Sequence, residues 1–336
     1  MMSKLSVRVV GFIALLTSFG AHAQQYTVTN LGSLGGNYTS STGAGINASG
    51  QVTGSAYGAY TGHAFLYSNG TMLDLGTLGG TNSSGAGINA SGEIVGTSWI
   101  SSGYNHAFLY SNGTMQDLGT LGGSSSFGAG INTSGQVTGW SYTNSGATHA
   151  FIYSNGTMQD LGSLAGLNST ASGINDSGQV TGWSSLSGGA NHAFIYSNGA
   201  WQDLGTLGGR DSYAYGINAG GDVTGWSETS NGNVDAFLYS NGTMQDLGSL
   251  GGTVTYGYAI NDYDQVTGVS FTTSEGGHAF LYSNGTMVDL NSQIGSASSL
   301  YTLYYGEAIN NSGQIVVEAY SNATGAEVAL LLTPIS

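Results

Sequence analysis

The sequence predicts an all-β protein, a closed seven-bladed β-propeller built from four-stranded antiparallel blades. Two observations predict it. A His-Ala-Phe motif returns at a constant spacing of 43 residues, and an Ile-Asn pair occurs seven times at nearly the same spacing. Each period also contains two turn signals that divide it into four short strands. A fixed period of roughly 20 to 50 residues is typical of solenoids, propellers and arrays, and four antiparallel strands per period favour the propeller.

The two markers extend over almost the whole chain. The first begins at His63, His106, His149, His192 and His278, and Asp235 takes the place of the histidine in the one remaining copy. The second begins at Ile46, Ile88, Ile131, Ile174, Ile217, Ile260 and Ile309. Helical repeats are excluded because the chain has 59 glycines and lacks a 3.6-residue periodicity.

One repeat, residues 87–119, shows how the strands are delimited. Asn112-Gly113 separates two apolar runs and indicates a type I′ hairpin turn, which needs positive φ at both central residues. The segment that begins at Asn89 and ends at Gly92 predicts a second tight turn. The run Ala-Phe-Leu-Tyr lacks strict alternation, as expected of a middle strand that is buried on both faces.

The two ends of the chain match complementary parts of one blade. The segment Tyr26–Gly32 resembles the repeated strand Met-Gln-Asp-Leu-Gly, and Val328–Leu332 resembles His-Ala-Phe-Leu-Tyr. Pairing of these segments would complete the last blade and remove two open sheet edges. We therefore expect residues 24–336 to form a single domain of seven units of about 43 residues.

Residues 1–23 have the layout of a secretory signal peptide. Lys4 and Arg8 precede an apolar run, and small residues follow it up to Ala23. The apolar run is shorter than the ~20 residues that a membrane-spanning helix needs. We expect cleavage near Ala23, a secreted or periplasmic location, and no membrane insertion.

Composition limits the partners of the exported chain. Beyond Lys4 and Arg8, Arg210 is the single basic residue, against 18 acidic residues. Nucleic-acid binding depends on several Lys and Arg side chains that displace counterions, so nucleic-acid ligands are excluded. The sequence has no cysteine, which excludes disulfides, zinc–thiolate sites and thiol nucleophiles. We expect a monomer held together by packing and strand pairing.

The repeat motif is also similar to a known group of sequences. His-Ala-Phe-Leu-Tyr-Ser-Asn-Gly-Thr-Met stands unbroken at 63–72, 106–115 and 278–287. Between Tyr26 and about Leu332 the chain resembles the HAF repeats, a bacterial extracellular repeat family that takes its name from this motif. The resemblance implies export and a repeat array. It does not assign an enzymatic activity to the chain.

A recurrent His–Asp pair is a candidate for chemistry. In each hairpin the two residues fall on the same face, one diagonal step apart, where they can hydrogen-bond. Catalysis seldom needs five copies of one site, so we interpret the pairs as structural contacts that satisfy polar groups within each blade; a catalytic or metal-binding role is the alternative. The pairs are His63 with Asp74, His106 with Asp117, His149 with Asp160, His192 with Asp203, and His278 with Asp289, and Asp246 has Asp235 in place of the histidine.

One turn contains a pair of carboxylates, Asp262 and Asp264, before a Val-Thr-Gly strand. Carboxylate oxygens suit calcium, which makes this turn a candidate calcium site. The Asp-x-Asp-x-Asp-Gly loop and the Gly-Gly-x-Gly-x-Asp repeat of established calcium sites are absent from the sequence. We expect no other cofactor.

Binding residues are expected on the face where the repeats differ. The tight turns share one face of a propeller, so the longer loops and the connectors between blades share the other. Aromatic rings beside hydroxyls and carboxylates suit the apolar faces of sugars, although packing between blades is the alternative for the tryptophans. The candidates are Arg210 and Asp211 in one connector, Tyr213 and Tyr215 beside it, Tyr301, Tyr304 and Tyr305 in the longer last connector, and Trp140, Trp183 and Trp226 at the ends of Val-Thr-Gly strands.

These features together predict an exported, non-catalytic module that binds a glycan or an extracellular protein, or that builds a cell surface. The alternative is an extracellular polysaccharide hydrolase or lyase with a His or Tyr base and an Asp acid at one irregular site. No nucleophile elbow or zinc motif accompanies the irregular residues, so the sequence favours the non-enzyme. A passive surface-layer component without a specific ligand is a third hypothesis.

Overall fold

The computed structural model describes residues 25–274 and 276–335, and this part of the chain contains 28 strands in seven consecutive units. The first strand, β1 (Tyr26–Asn30), belongs to the last unit. The first three units consist of β2 (Tyr38–Ile46), β3 (Val52–Gly58), β4 (Gly62–Ser68), β5 (Thr71–Asp74), β6 (Gly79–Ile88), β7 (Ile94–Ile100), β8 (Asn105–Ser111), β9 (Thr114–Asp117), β10 (Gly122–Ile131), β11 (Val137–Thr143), β12 (Thr148–Ser154) and β13 (Thr157–Gly162).

The later units repeat the same order. They consist of β14 (Ser169–Ile174), β15 (Val180–Ser185), β16 (Asn191–Ser197), β17 (Ala200–Asp203), β18 (Gly208–Ile217), β19 (Val223–Thr229), β20 (Val234–Ser240), β21 (Thr243–Asp246), β22 (Gly251–Ile260), β23 (Val266–Thr272), β24 (Gly277–Ser283), β25 (Thr286–Asp289), β26 (Tyr301–Ile309), β27 (Ile315–Ser321) and β28 (Glu327–Pro334). Two short 3₁₀ helices, Leu290–Gln293 and Gly295–Ser299, form the longer connection before β26. Among the described residues, no helix has the length and apolar character that a bilayer crossing requires.

Each unit is an antiparallel sheet whose strands pair in chain order. Five sheets have four strands, as the turn signals predict. The sixth has eight, because one parallel bridge between Val234 on β20 and Val254 on β22 joins two four-stranded units. The expectation of separate four-stranded sheets is therefore wrong at this one junction.

The last unit contains both ends of the described chain. Its order is β26-β27-β28-β1, and β1 pairs with β28 from Tyr26 opposite Pro334 to Asn30 opposite Leu330. This is the pairing predicted from the two matching end segments. The predicted signal peptide, residues 1–23, lies outside the described residues.

The hairpin turns have the backbone geometry that the sequence predicts. In the Asn-Gly pairs between the third and fourth strands, the asparagines have φ between 51° and 53° and the glycines between 78° and 82°. A type I′ turn requires positive φ at both positions, and this turn matches the right-handed twist of the strands that it joins. Local chemistry therefore determines the register of six hairpins.

Seven asparagines, the second residues of the Ile-Asn pairs, form what we call the asparagine circuit. Each side-chain Nδ2 donates to the backbone carbonyl of the equivalent asparagine in the next unit at 3.0–3.3 Å, and the last donates to the first. Buried amides of this kind need partners, so each side chain joins two units. The members are Asn47, Asn89, Asn132, Asn175, Asn218, Asn261 and Asn310.

Apolar residues are buried mainly between neighbouring units. Phe151 on β12 is fully buried, and it packs in one cluster with Val137 of its own unit and with Val95 and Leu118 of the unit before. The last and first units pack in the same way, since Ala308, Val316 and Leu331 share a cluster with Val52 and Phe65. The hydrophobic effect therefore stabilises the contacts between units, including the contact between the two ends of the series.

The glycine of each Val-Thr-Gly strand is required by close packing. At Gly139 on β11, a Cβ would overlap the carbonyl oxygen of Phe127 on the paired strand β10. Glycines at the same position in other units, such as Gly54 and Gly225, would meet the equivalent oxygen. This close approach packs the first and second strands of a unit tightly against each other. Side chains from both strands then lie at the centre of the molecule.

Candidate functional site

A cavity of about 1000 Å³ lies at the centre of the molecule, between the first strands of the seven units. We call it the central cavity. All seven isoleucines of the Ile-Asn pairs line it. Because each isoleucine directly precedes a member of the asparagine circuit, an apolar ring and then an amide ring bound one end of the cavity. A smaller depression of about 240 Å³ lies against four of these asparagines.

One repeat position distinguishes the two sides of the cavity wall. The residue two places before each isoleucine lines the cavity in every unit. It is small in four consecutive units and large and polar in the other three. In chain order the residues are Ala44, Ala86, Ala129, Ser172, Tyr215, Tyr258 and Glu307. The repeat symmetry is therefore broken at this position, which faces the centre.

Three tryptophans add to the same cavity. Trp140, Trp183 and Trp226 line it, but they lie in the middle of β11, β15 and β19 and not at the strand ends, where the sequence placed them. Their strands continue because the chain pairs for three more residues in β11 and β19 and two more in β15. The prediction that these strands end at the tryptophans is wrong.

The tryptophans stack on rings of the first strands. Trp140 lies 3.9 Å from Phe127 and Trp226 lies 4.4 Å from Tyr213, measured between ring centroids, with 18° between the planes in both pairs. Trp183 contacts Tyr213 of the next unit at 5.3 Å. Packing within and between units therefore holds the rings in place, and their remaining surface faces the cavity.

Two tyrosines place hydroxyls beside these rings. The Tyr215 hydroxyl accepts a hydrogen bond from Trp226 Nε1 at 3.1 Å, and the Tyr213 hydroxyl accepts one from Asn191 Nδ2 at 2.7 Å. Burial raises the pKa of Tyr215 and of Tyr258 above the ordinary value for tyrosine. The hydroxyls therefore keep their protons at neutral pH and can donate them to a ligand. We call the aromatic residues that line the cavity the aromatic wall; they are Trp140, Trp183, Trp226, Tyr213, Tyr215 and Tyr258.

Two carboxyl groups lie next to the aromatic wall. Glu307 on β26 lines the cavity, and Glu318 lies on the paired strand β27, at the position that Trp226 occupies in its own unit. Burial raises the pKa of each to about 7, and the neighbouring charge adds to the effect, from Glu318 on Glu307 and from Glu327 on Glu318. The charge of this part of the cavity therefore changes around neutral pH.

The comparison with known proteins concerns the fold. No protein family model and no curated protein matches the chain. The β-propeller domain of the Trilobed protease from Pyrococcus furiosus matches with a TM-score of 0.55 at 8% identity, over 89% of this chain and 98% of that domain. The fold is a β-propeller. That domain is described as having an open velcro topology, whereas here β1 is paired with β28.

Two other solved structures are similar at lower scores. TolB from Acinetobacter baumannii is 12% identical with a TM-score of 0.47, over 73% of this chain and 64% of its own length. The BP39L lectin from Burkholderia pseudomallei is 13% identical with a TM-score of 0.45, over 78% of this chain and 82% of its own length. The similarity to the HAF repeats rests on the repeated motif alone, since no family model matches.

Of the predicted tyrosines in the last blade, one approaches the aromatic wall. Tyr301, Tyr304 and Tyr305 lie within β26, not in the connector, and the ring of Tyr305 lies 6.1 Å from that of Tyr258. Tyr304 packs between Tyr305 and Tyr320, at 4.5 and 5.8 Å. The Tyr301 hydroxyl accepts a hydrogen bond from Asn30 on β1 at 3.3 Å, at the joint between the two chain ends.

Arg210 and Asp211 belong to strand β18 and not to a connector. Asp211 Oδ1 accepts a hydrogen bond from the backbone N–H of Asn191 at 2.7 Å, and Asn82 and Asn168 make the same bond in their own blades. Arg210 donates through Nη2 to the carbonyl oxygen of Gly189 at 2.5 Å. These two side chains therefore hold the loop of the preceding blade, and neither lines the central cavity.

The five His–Asp pairs have the same geometry in every blade that contains them. Histidine Nδ1 lies 2.7–2.9 Å from the aspartate carboxylate. In four of the pairs the same aspartate accepts a hydrogen bond from the glycine N–H two residues later, for example Gly76 from Asp74 at 2.8 Å. The carboxylate thus connects its histidine to the turn after the fourth strand, which supports the structural interpretation.

Replacement of Asp235 by histidine is expected to stabilise the protein by about 1 kcal/mol at pH 7. Asp235 is buried, and burial followed by the charge of Asp246 raises its pKa. Histidine would remove the like charge and restore the pair found in the other blades. Urea unfolding measures the change. The gain should shrink as the pH falls through the pKa of Asp235, because the folded wild type then carries a neutral acid there. Asp235→Asn, which only removes the charge, should stabilise less.

The two predicted calcium ligands, Asp262 and Asp264, accept hydrogen bonds from other residues of the protein. Asp262 accepts hydrogen bonds from the Ala219 N–H at 2.9 Å and from Asn311 Nδ2 at 2.6 Å, and Asp264 accepts one from Asn218 Nδ2 at 3.0 Å. Within residues 25–274 and 276–335, no group of three or more His, Cys, Asp or Glu side chains is arranged to hold a metal ion. Calcium binding at this turn stays a prediction, which the EDTA comparison described below tests.

Replacement of Asp264 by glycine is expected to stabilise the protein by about 0.5–1 kcal/mol at pH 7. Asp264 has a φ of 57° where all six other blades have a glycine of positive φ, and burial and the neighbouring Asp222 raise its pKa. Glycine removes the backbone strain and the charge repulsion together. Asp264→Asn keeps a residue that tolerates this backbone and removes only the charge, so it separates the two effects. Thermal unfolding at pH 7 and at pH 4 measures both, and equal stability of all three proteins at pH 7 would contradict the explanation.

Proposed function

We propose that the chain is a closed seven-bladed propeller that acts as an exported, non-catalytic binding module, with a glycan as the ligand of its central cavity. The asparagine circuit supports closure, because its last bond runs from Asn310 to Asn47 and joins the last blade to the first. Pairing of β1 with β28 and the shared apolar cluster of these two blades support it further. A closed ring surrounds the cavity laterally and keeps its wall rigid.

The observation that carries the function is the unequal distribution of aromatic residues around the cavity. A ring of identical repeats would present the same residue seven times, whereas here the third to sixth units contribute the tryptophans and tyrosines and the first two units contribute only Ala, Gly and Ile. Indole and phenol rings stack on the apolar faces of sugars, and the tyrosine hydroxyls and Glu307 can bond to sugar hydroxyls. The small residues of the first two units leave the volume of about 1000 Å³ open, which is large enough for an oligosaccharide.

The proposed protein is exported and monomeric. Residues 1–23 have the sequence layout of a signal peptide, which supports secretion or release into the periplasm, and the scarcity of basic residues supports a function without nucleic acid. A monomer suffices, because the ring contacts satisfy the edges of the blades. An extracellular protein that inserts a loop into the cavity is the second ligand class under this proposal.

A glycan array probed with the purified protein tests the function, once with calcium and once with EDTA. The proposal predicts micromolar binding of a limited set of glycans, equal in both conditions. Binding that EDTA removes would instead support calcium at Asp262 and Asp264. An absence of binding in both conditions would contradict a glycan ligand and favour a protein partner.

One observation favours a second candidate, a polysaccharide hydrolase. Glu307 and Glu318 are neighbouring carboxyls with raised pKa values beside a cavity, and glycoside hydrolysis uses two carboxyls, one of which is protonated. Release of reducing ends from any polysaccharide that the array identifies separates the two functions. Turnover that Glu307→Gln abolishes would establish the enzyme, and binding without turnover would support the binding module.

A further inference from the structure

The central cavity combines exposed aromatic rings with an unpaired carboxyl group. Glu307 lines the cavity, and no described residue in 25–274 or 276–335 forms a side-chain hydrogen bond or a salt bridge with it. The residues that line the cavity include no Lys, Arg or His. Arg210, the single basic residue beyond position 8, is engaged with Gly189 at the loop face. The protein therefore places a half-buried carboxyl group on the cavity wall without a positive partner.

Such a carboxyl is unfavourable in a folded protein unless something pairs with it. An ionised group that is removed from water requires a counter-charge or hydrogen bonds. Here Glu318 on the next strand adds a second carboxyl of the same sign. The protein supplies neither partner, so a ligand with a positive charge would be the group that stabilises the ionised form.

The aromatic wall supplies the second half of a cation site. A positively charged group is attracted to the faces of Trp and Tyr rings, and cages of such rings with carboxylates recognise organic ammonium ions. Trp226 and Tyr215 are held together by their hydrogen bond, and Tyr258 lies on the strand next to Glu307. Tyr215, Tyr258 and Glu307 come from three consecutive units and thus line one side of a single cavity.

We propose that the central cavity recognises an organic ammonium group, and that its glycan ligand is an amino sugar with a free, protonated amine. The inference rests on the proposed function and specifies its substrate class. The ammonium group lies against Glu307 and the rings of Tyr215 and Tyr258, and the sugar rings stack on the tryptophans. An N-acetylated sugar has the same ring and no charge, so it binds less tightly. Anionic polysaccharides are repelled by both carboxyls.

Tryptophan fluorescence with two matched oligosaccharides tests the proposal. The probes are glucosamine and N-acetylglucosamine oligomers of equal length, because three of the five tryptophans line the cavity and report on its occupation. We expect about tenfold tighter binding of the glucosamine oligomer. Glu307→Gln should remove this preference, so that the glucosamine oligomer binds no more than about twofold tighter than the N-acetylated oligomer to the same variant. Glu228→Gln removes one carboxylate outside the cavity and should leave the preference intact.

The outcomes separate the inference from the proposed function. Equal affinity of the two oligomers for the wild type would overturn the ammonium site and leave the glycan module standing. A preference that Glu228→Gln abolishes as strongly as Glu307→Gln would also overturn it, because the effect would then come from net charge. If neither oligomer binds, the amino-sugar ligand is overturned, and the glycan array decides the proposed function separately. Tetramethylammonium then decides the ammonium site alone: quenching that depends on Glu307 supports it, and no quenching overturns it.

The dependence on pH provides a second readout. The titratable groups that interact with Glu307 are Glu318 from β27 and Tyr258 from β22. Tyr305 from its own strand interacts with both of these groups, and Glu327 acts through Glu318. Only the two glutamates change charge near neutrality, since burial raises the pKa of Tyr305 to about 12. Binding of tetramethylammonium, whose charge is permanent, should strengthen about tenfold from pH 5 to pH 8. A flat profile in the wild type would overturn the role of Glu307.

Discussion

Replacement of Trp226 by alanine is expected to weaken binding of the glycan by about 10- to 100-fold, in line with the cost of truncating a central aromatic contact. Trp226 stacks on Tyr213 at 4.4 Å and donates its indole N–H to the Tyr215 hydroxyl. The change therefore removes one ring of the aromatic wall and releases two others. Isothermal titration calorimetry with a glycan identified on the array measures the loss.

Two further variants control this experiment. Trp201→Ala removes a tryptophan that packs on Phe194, at 4.4 Å, and does not line the central cavity. Its affinity should match that of the wild type even if its stability falls. Trp226→Phe keeps a ring and should lose less than the alanine variant. Wild-type affinity in Trp226→Ala would show that the aromatic wall is not the ligand surface.

The second large effect concerns stability. Asn132→Ala is expected to reduce the free energy of unfolding by about 3 kcal/mol, because several buried polar groups lose their partner at once. Asn132 Oδ1 accepts from the backbone N–H groups of Ser134 and Gln136, and Nδ2 donates to Gln136 Oε1 and to the carbonyl of Asn175. Urea unfolding monitored by tryptophan fluorescence measures the change, and Asn144→Ala in an exposed loop should cost less than about 0.5 kcal/mol.

The same measurement at the other end of the circuit tests closure. Asn310 donates to the carbonyl of Asn47, the one bond of the circuit that joins the last blade to the first. In a closed ring, Asn310→Ala should destabilise the protein as much as Asn132→Ala does. If the ring opens at this point in solution, Asn310→Ala should lose about 1 kcal/mol less, since the bond to the next blade would already be absent. Equal losses support the closed ring.

The sequence by itself determined the features that depend on local chemistry. The Asn-Gly pairs predict type I′ turns because few other residues adopt positive φ twice in succession, and all six have that geometry. The period of the motifs and the matching end segments predict the four-stranded units and the pairing of β1 with β28. These signals lie within one repeat or in a direct match between two segments. They can therefore be recognised in the sequence without knowing which units pack against each other.

Only the tertiary structure decided where strands end and which residues meet at the centre. The glycines before Arg210 and Asp211 and the extra length before Tyr301 predict connectors, but pairing with the second strands extends β18 and β26 over these residues. Glu318 and Tyr258 were missed because nothing in their own repeat marks them. Alignment of the seven repeats would have exposed Glu307, since every other unit has an alanine, serine or tyrosine there. Whether that position faces a common cavity depends on seven strands, each about 43 residues apart, that meet around one axis, and no local signal specifies that geometry.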